Sequence, residues 1–195
     1  MKTGSLSILL ALLFAHPSSA DDTSYVVSSR KGSHFFATGS KEGKCYKVKG
    51  NADFQLQWKC TEQWPFWPTE VFLSESGDCL IVLPHVSALR GEEAGETAMM
   101  IFSKGTKTKS YNVGTLVDPK NDIDRLRGEP VFAYIFSKAR FANLSVIAES
   151  LTDDELGHKA TTKEWSADKE FFWITTNRGK HILVDPVAGE IAYMK

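Results

Sequence analysis

The side chains able to do chemistry are few and scattered. Beyond the first twenty residues there are four histidines, His34, His85, His158 and His181. None stands at the i, i+4 spacing that puts two imidazoles on one helical face, and no HExxH string occurs, so no metal site is expected. His34 and His181 occupy equivalent places at the start of a strand, which is a structural position. His85 follows Pro84 at a strand exit beside a polar insertion, where a loop on a rigid scaffold can present it to a ligand. Asp118, Asp122 and Asp124 lack the order of a calcium loop and read more simply as acids at the start of a helix. No G-x-S-x-G elbow is present. Gly39-Ser40-Lys41-Glu42-Gly43-Lys44 fails as a phosphate loop, with three residues rather than four between its glycines and Cys45 after the lysine. No cofactor is implied.

Aromatic residues offer a second kind of chemistry. Trp64, Phe66 and Trp67 follow closely on Trp58, and Pro65 and Pro68 hold the segment extended. Exposed, they form a stacking platform for a sugar ring or a peptide; buried, they wedge between two sheets beside Trp165 and Trp173. Lys104, Lys107 and Lys109 surround one hairpin turn and read as a solvated tip or as protection of an edge strand. Cys45 and Cys60 flank a hairpin centred on Ala52-Asp53, which would set them opposite each other within reach of a disulfide. The alternative is that Cys45, Cys60 and Cys79 are all small core residues.

These groups need elements to position them, and the chain reads mostly as β. Three stretches, about 25–60, 70–113 and 165–195, share one grammar of strand, glycine-containing turn and strand. Between the last two, an insertion over about 114–164 changes character. Asp118-Pro119 opens and Gly128 closes an expected short helix, and Thr152-Asp153-Asp154-Glu155 matches a capping box. The expected fold is all-β in the main: antiparallel β-meander units, as a partial propeller-like array or stacked sheets, with a short helical insertion.

Within these units, Trp67–Leu83, with its Ser74-Glu75-Ser76-Gly77-Asp78 turn, resembles the hairpins of uncharacterised exported bacterial proteins with propeller-like β-hairpin repeats. Met99–Gly105 resembles their next strand and turn. Gly179–Tyr193, with Asp185 and Gly189-Glu190-Ile191, is similar to their terminal hairpin. The resemblance implies a β-meander fold and an exported location; it carries no catalytic residues.

Export is also read from the residues. Lys2, the apolar run Leu6–Ala15, the break at His16-Pro17 and the small residues Ser18-Ser19-Ala20 make the pattern of a cleavable signal peptide over residues 1–20. The run is too short to span a bilayer, which takes about 20 apolar residues. One β-rich domain, residues 21–195, is then expected to be secreted or periplasmic, with no integral membrane segment after cleavage. A formal net charge of −1 provides no basic field for nucleic acid. The leading function is a non-enzymatic binding or interaction module for a protein or carbohydrate ligand, with Trp64, Phe66, Trp67 and His85 as candidate ligand-binding residues. The alternative is an extracytoplasmic, hydrolase-like enzyme assembled from scattered His and Asp residues such as His85, Asp118 and Asp122.

Overall fold

Short runs of β-branched and aromatic residues, alternating with polar ones and cut by turn residues, form strands because each run can bury one face. A computed structural model of the chain describes residues 25–39, 42–50, 52–61, 68–84, 86–87, 93–117, 124–125, 132–134, 136–151 and 165–194. Tyr25–Ser28 (β1), His34–Thr38 (β2), Gly43–Gly50 (β3) and Asp53–Cys60 (β4) make the first antiparallel sheet, paired in chain order. In the second, Pro68–Leu73 (β5) and Cys79–Pro84 (β6) are followed by Thr97–Ser103 (β8) and Thr106–Asn112 (β9). The third contains Phe136–Asn143 (β12), Glu170–Thr176 (β13), His181–Asp185 (β14) and Glu190–Met194 (β15). Val86–Ser87 (β7), Asp124–Arg125 (β10) and Phe132–Tyr134 (β11) form a small sheet in the order β10-β11-β7. Two short α-helices, Val113–Leu116 (α1) and Leu144–Leu151 (α2), and one 3-10 turn at Glu93–Gly95 complete the described elements. The fold is thus mainly β, in meander units that do not close into a barrel.

The second sheet lies in the middle because both of its faces are apolar. Along β6, Cys79 through Leu83 are all buried, and the alternation of side chains sends them to two different cores. Leu80 and Val82, with Phe102 of β8, pack on Phe36, Cys45, Trp58 and Cys60 of the first sheet. Cys79, Ile81 and Leu83, with Met99 and Ile101 of β8, pack on Phe141, Phe172, Ile174, Ile182 and Val184 of the third. Fully burying one such aliphatic or aromatic side chain contributes about 1.5–3 kcal/mol. The outer face of the third sheet is partly covered by α2, whose Leu144 and Ile147 join Phe171, Leu183 and Tyr193 in a third cluster.

Polar chemistry pins the turns. Trp58 donates its indole N–H to the Gly77 carbonyl at 2.8 Å, tying β4 to the β5–β6 turn. His34, at 8% exposure, places Nδ1 3.0 Å from the Glu75 carbonyl and the same distance from the Ser33 hydroxyl, so it has the structural role expected of it. Lys104 and Gly105 both have positive φ, 47° and 85°, and make the two-residue turn between β8 and β9. Lys107 and Lys109 are exposed along β9, the edge strand of the second sheet, where lysines discourage edge-to-edge pairing.

Three expectations change. The short helix from Asp118 to Gly128 gives way, where the chain is described, to an extended pair: Asp124 and Arg125 lie opposite Tyr134 and Ala133. The third sheet takes its first strand, β12, from the stretch expected as an insertion, since Phe136, Ala139 and Phe141 all turn inward to its core. The third change concerns the cysteines. A bulge at Gln57 sets Cys45 opposite Trp58 and Cys60 opposite Gly43, and all three cysteines are buried without a disulfide. The disulfide expected between Cys45 and Cys60 is therefore corrected to separate thiols in one core.

Burial pushes the Cys45 and Cys79 thiols up to about 12 from their ordinary 9.0. Because these groups ionise more easily unfolded than folded, the stability they contribute is fully present below pH 9 and is lost as pH rises toward 12. Unfolding free energy is expected to fall by about 1.4 kcal/mol per pH unit for each thiol across that window, measured by urea titration at pH 8, 9.5 and 10.5. A thiol reagent should label the native protein slowly at neutral pH and all three cysteines on unfolding.

Candidate functional site

The outer face of the third sheet carries a cleft. In β12 the register shifts between Phe136 and Lys138, and the bulged Ser137 donates its hydroxyl to the Thr175 and Thr176 carbonyls at 3.1 and 3.2 Å. Beyond that bulge, Ala139 and Phe141 face the core, so Lys138 and Arg140 face outward. In register, Arg140 lies opposite Trp173, Lys138 opposite Thr175, and Thr175 opposite His181. The helix α2 covers only part of this face, and its last residues, Ser150 and Leu151, wall the remainder. The cleft measures about 710 Å³, within the range of small-molecule sites.

The charge of the cleft is lopsided. Lys138 and Arg140 line it with His181, and Glu70 of β5 is the one carboxylate among its described lining residues. Successive outward residues on one strand are about 6.6 Å apart, a spacing at which two cations can address two oxygens of one anion. The Arg140 guanidinium sits 4.8 Å from the centroid of the Trp173 ring, which orients it while leaving its donors along the plane edge. The Trp173 indole N–H donates to His181 Nδ1 at 3.2 Å. An indole nitrogen is only a donor, so Nδ1 is an acceptor, and Thr175, 3.2 Å away, donates its hydroxyl to the same atom. The neutral imidazole therefore carries its proton on Nε2.

The arrangement can orient and neutralise an anion, with hydroxyl and aromatic surface beside it. It lacks the thiolate of a cysteine nucleophile, because the three thiols are buried in the cores. Ser150 donates its hydroxyl to the Val146 carbonyl at 2.7 Å, a helix-back contact and not an activated nucleophile. Among the described residues no group of three or more His, Cys, Asp and Glu side chains can hold a metal ion.

The candidate ligand-binding residues read from the sequence are not among the described residues that line this cleft. Trp64, Phe66, Trp67 and His85 lie outside the described residues, as do Asp118 and Asp122. Cys45 and Cys60 belong to the core between the first and second sheets. Of the cleft residues, Lys138, Arg140 and Thr175 were missed, and His181 and Trp173 were read only as structural or buried, although a signal existed. Lys138-Ala139-Arg140-Phe141 alternates long cations with apolar residues, the pattern of a strand with one solvated face.

No family model matches the chain, and no curated protein matches it in sequence. Among solved structures, the periplasmic gluconolactonase PpgL of Pseudomonas aeruginosa is similar at 14% sequence identity and a TM-score of 0.40, over 92% of this chain and 40% of that one. A crystal structure of a eukaryotic initiation factor is similar at 10% identity and a TM-score of 0.36, over 95% of this chain and 48% of that one. The chain spans less than half the length of each.

Proposed function

We propose that the protein is an exported, non-enzymatic binding module whose outer cleft on the third sheet holds a small hydroxylated organic anion. The single observation that carries this reading is the pairing of Lys138 and Arg140 on one face, beside Trp173, with one opposing carboxylate among the described lining residues. Carboxylate or phosphate oxygens would take the guanidinium and ammonium donors, and ring hydroxyls would meet the Thr175 and His181 edge. Export rests on the signal pattern of residues 1–20. Among the described residues no helix is long and apolar enough to cross a membrane.

Titration calorimetry with glucuronate, glucose 6-phosphate and neutral glucose tests the proposal. The two anions are expected to bind and glucose to bind at least tenfold more weakly. Arg140→Ala removes one charged hydrogen-bonding group, a loss of about 1.5–3 kcal/mol, and is expected to weaken anion binding roughly 10- to 150-fold. Equal affinity for glucose and glucuronate, or an unchanged constant in the variant, would overturn the charge-based reading.

A second reading rests on the hydroxyl–imidazole pair of Thr175 and His181, an arrangement that general-base chemistry uses. Turnover of an activated ester that disappears in Thr175→Val would favour the enzyme over the binding module.

A further inference from the structure

A second, chemically different cavity opens at the turn end of the stack, between the second and third sheets. Its volume is about 420 Å³, and turns from both sheets build it: Ser74 to Cys79 from the β5–β6 turn, Ser103 and Lys104 from the β8–β9 turn, and Pro186 and Val187 from the β14–β15 turn. Lys169 and Glu170, at the start of β13, close the back. Three of its walls are thus hairpin turns held by paired strands, which fixes most of the cavity's shape.

Its charges are unevenly satisfied. Lys169 Nζ lies 2.7 Å from Asp185 Oδ2, a pair that leaves both charges neutralised. Burial alone would raise the Asp185 carboxyl, but the Lys169 ammonium and the Val187 and Ala188 amides outweigh it and hold the group below its ordinary range. Lys104 is 4.0 Å from Asp78. Among the described residues no cation pairs with Glu170 in this way; Arg30 and Lys31 act on it only from farther off. Its two carboxylate oxygens share a single backbone donor, the Glu75 N–H, at 3.3 and 3.1 Å. A carboxylate offers about four lone-pair sites, so one amide leaves most of its accepting capacity unused. Burial is the largest influence on Glu170 and, with the nearby Glu75 carboxylate, raises its carboxyl above the ordinary range; the Glu75 N–H and the Arg30 and Lys31 charges only partly oppose this. At the mouth, Val187 is 90% exposed, an apolar lip beside a polar cavity.

We propose that this cavity binds a small aliphatic primary amine, its ammonium group against the Glu170 carboxylate and its hydrocarbon part along Pro186 and Val187. An ammonium supplies three donors to a carboxylate that has one, and it neutralises the charge that Lys169 and Lys104, each facing its own acid, leave uncompensated. A divalent cation fits less well, since the described residues hold no group of three metal-ligating side chains. The apolar lip gives the alkyl part a surface to cover.

The experiment uses the full mature chain and n-butylammonium as probe, with n-butanol as the neutral isostere and calcium as the competing cation. Butylammonium is expected to bind in calorimetry, and butanol and calcium to give no comparable heat. Glu170→Gln keeps an oxygen acceptor for the Glu75 amide, so its thermal unfolding should match the parent while amine affinity falls at least tenfold. Val187→Lys, a change at an exposed site, places a rival cation at the mouth and should also weaken the amine severalfold with the fold intact. The proposal is overturned if butylammonium does not bind, if butanol or calcium binds as well, or if both variants keep the parental affinity.

Discussion

Phe172→Ala is expected to lower the unfolding free energy by about 3–5 kcal/mol. Phe172 has no exposed surface and sits where the second and third sheets meet. Its ring lies 5.0 Å from that of Phe72 on β5 and 5.2 Å from that of Phe141 on β12, so one side chain joins three strands of two sheets. Truncation removes the transfer free energy of the ring and leaves a cavity that rigid sheets cannot collapse to fill. Urea denaturation followed by tryptophan fluorescence measures the loss, with Val187→Ala, at an exposed site, as a control expected to stay within about 0.5 kcal/mol of the parent. A loss below about 1 kcal/mol for Phe172→Ala would mean that the two sheets are not held by this contact.

Gly105→Ala is expected to cost about 2–5 kcal/mol, for two separable reasons. The residue has φ 85°, where a side chain adds roughly 1–2 kcal/mol of backbone strain. Its added methyl would also strike the backbone carbonyl of Lys59 on β4 and crowd the Trp58 ring. A strand backbone cannot step aside as a flexible side chain does, so overpacking adds a further roughly 1–3 kcal/mol. Gly179 supplies the comparison: its φ is 80°, yet a methyl there meets open space. Gly179→Ala should therefore show the backbone strain alone. The difference between the two variants, read from parallel urea titrations, isolates the contact between the β8–β9 turn and the first sheet. Equal losses would show that this turn does not lean on β4.

The legible part of the sequence was local. Alternating apolar runs around Gly32, Gly77, Gly105 and Gly189 mark hairpins because positive-φ turns and two-residue periodicity are properties of a few neighbouring residues. The register between Cys45 and Cys60 was not legible, because it turns on a bulge at Gln57, next to a Trp58 that is tied to Gly77 in the distant β5–β6 turn. β12 was hidden for a related reason. The bulged Ser137 breaks the alternation at its start, and of the strand's eight residues only Phe141 and Ala142 are buried, so the apolar signal is short. The cleft itself joins residues 137–140 to 173–181 through strand pairing, and no short-range spacing records such a meeting. Glu170 gives no local sign of its setting either, since its half-buried state comes from the β5–β6 turn lying against it.

The middle position of the second sheet has a consequence for the order of events when the chain is made. Every hydrogen-bonded neighbour in the three large sheets is also the next of that sheet's strands along the chain, so each meander can pair soon after it emerges. The first meander, however, has an apolar face with Phe36 and Trp58 that finds its cover only when β5, β6 and β8 arrive. The second then meets the same wait on its opposite face until β13 and β14 are complete. Assembly from the N-terminal end therefore passes through two successive species with sticky surfaces, the second exposing Ile81, Met99 and Ile101. A chaperone that engages nascent chains would find its best target in the interval between residue 112 and residue 184, after the centre has formed and before its second cover is in place.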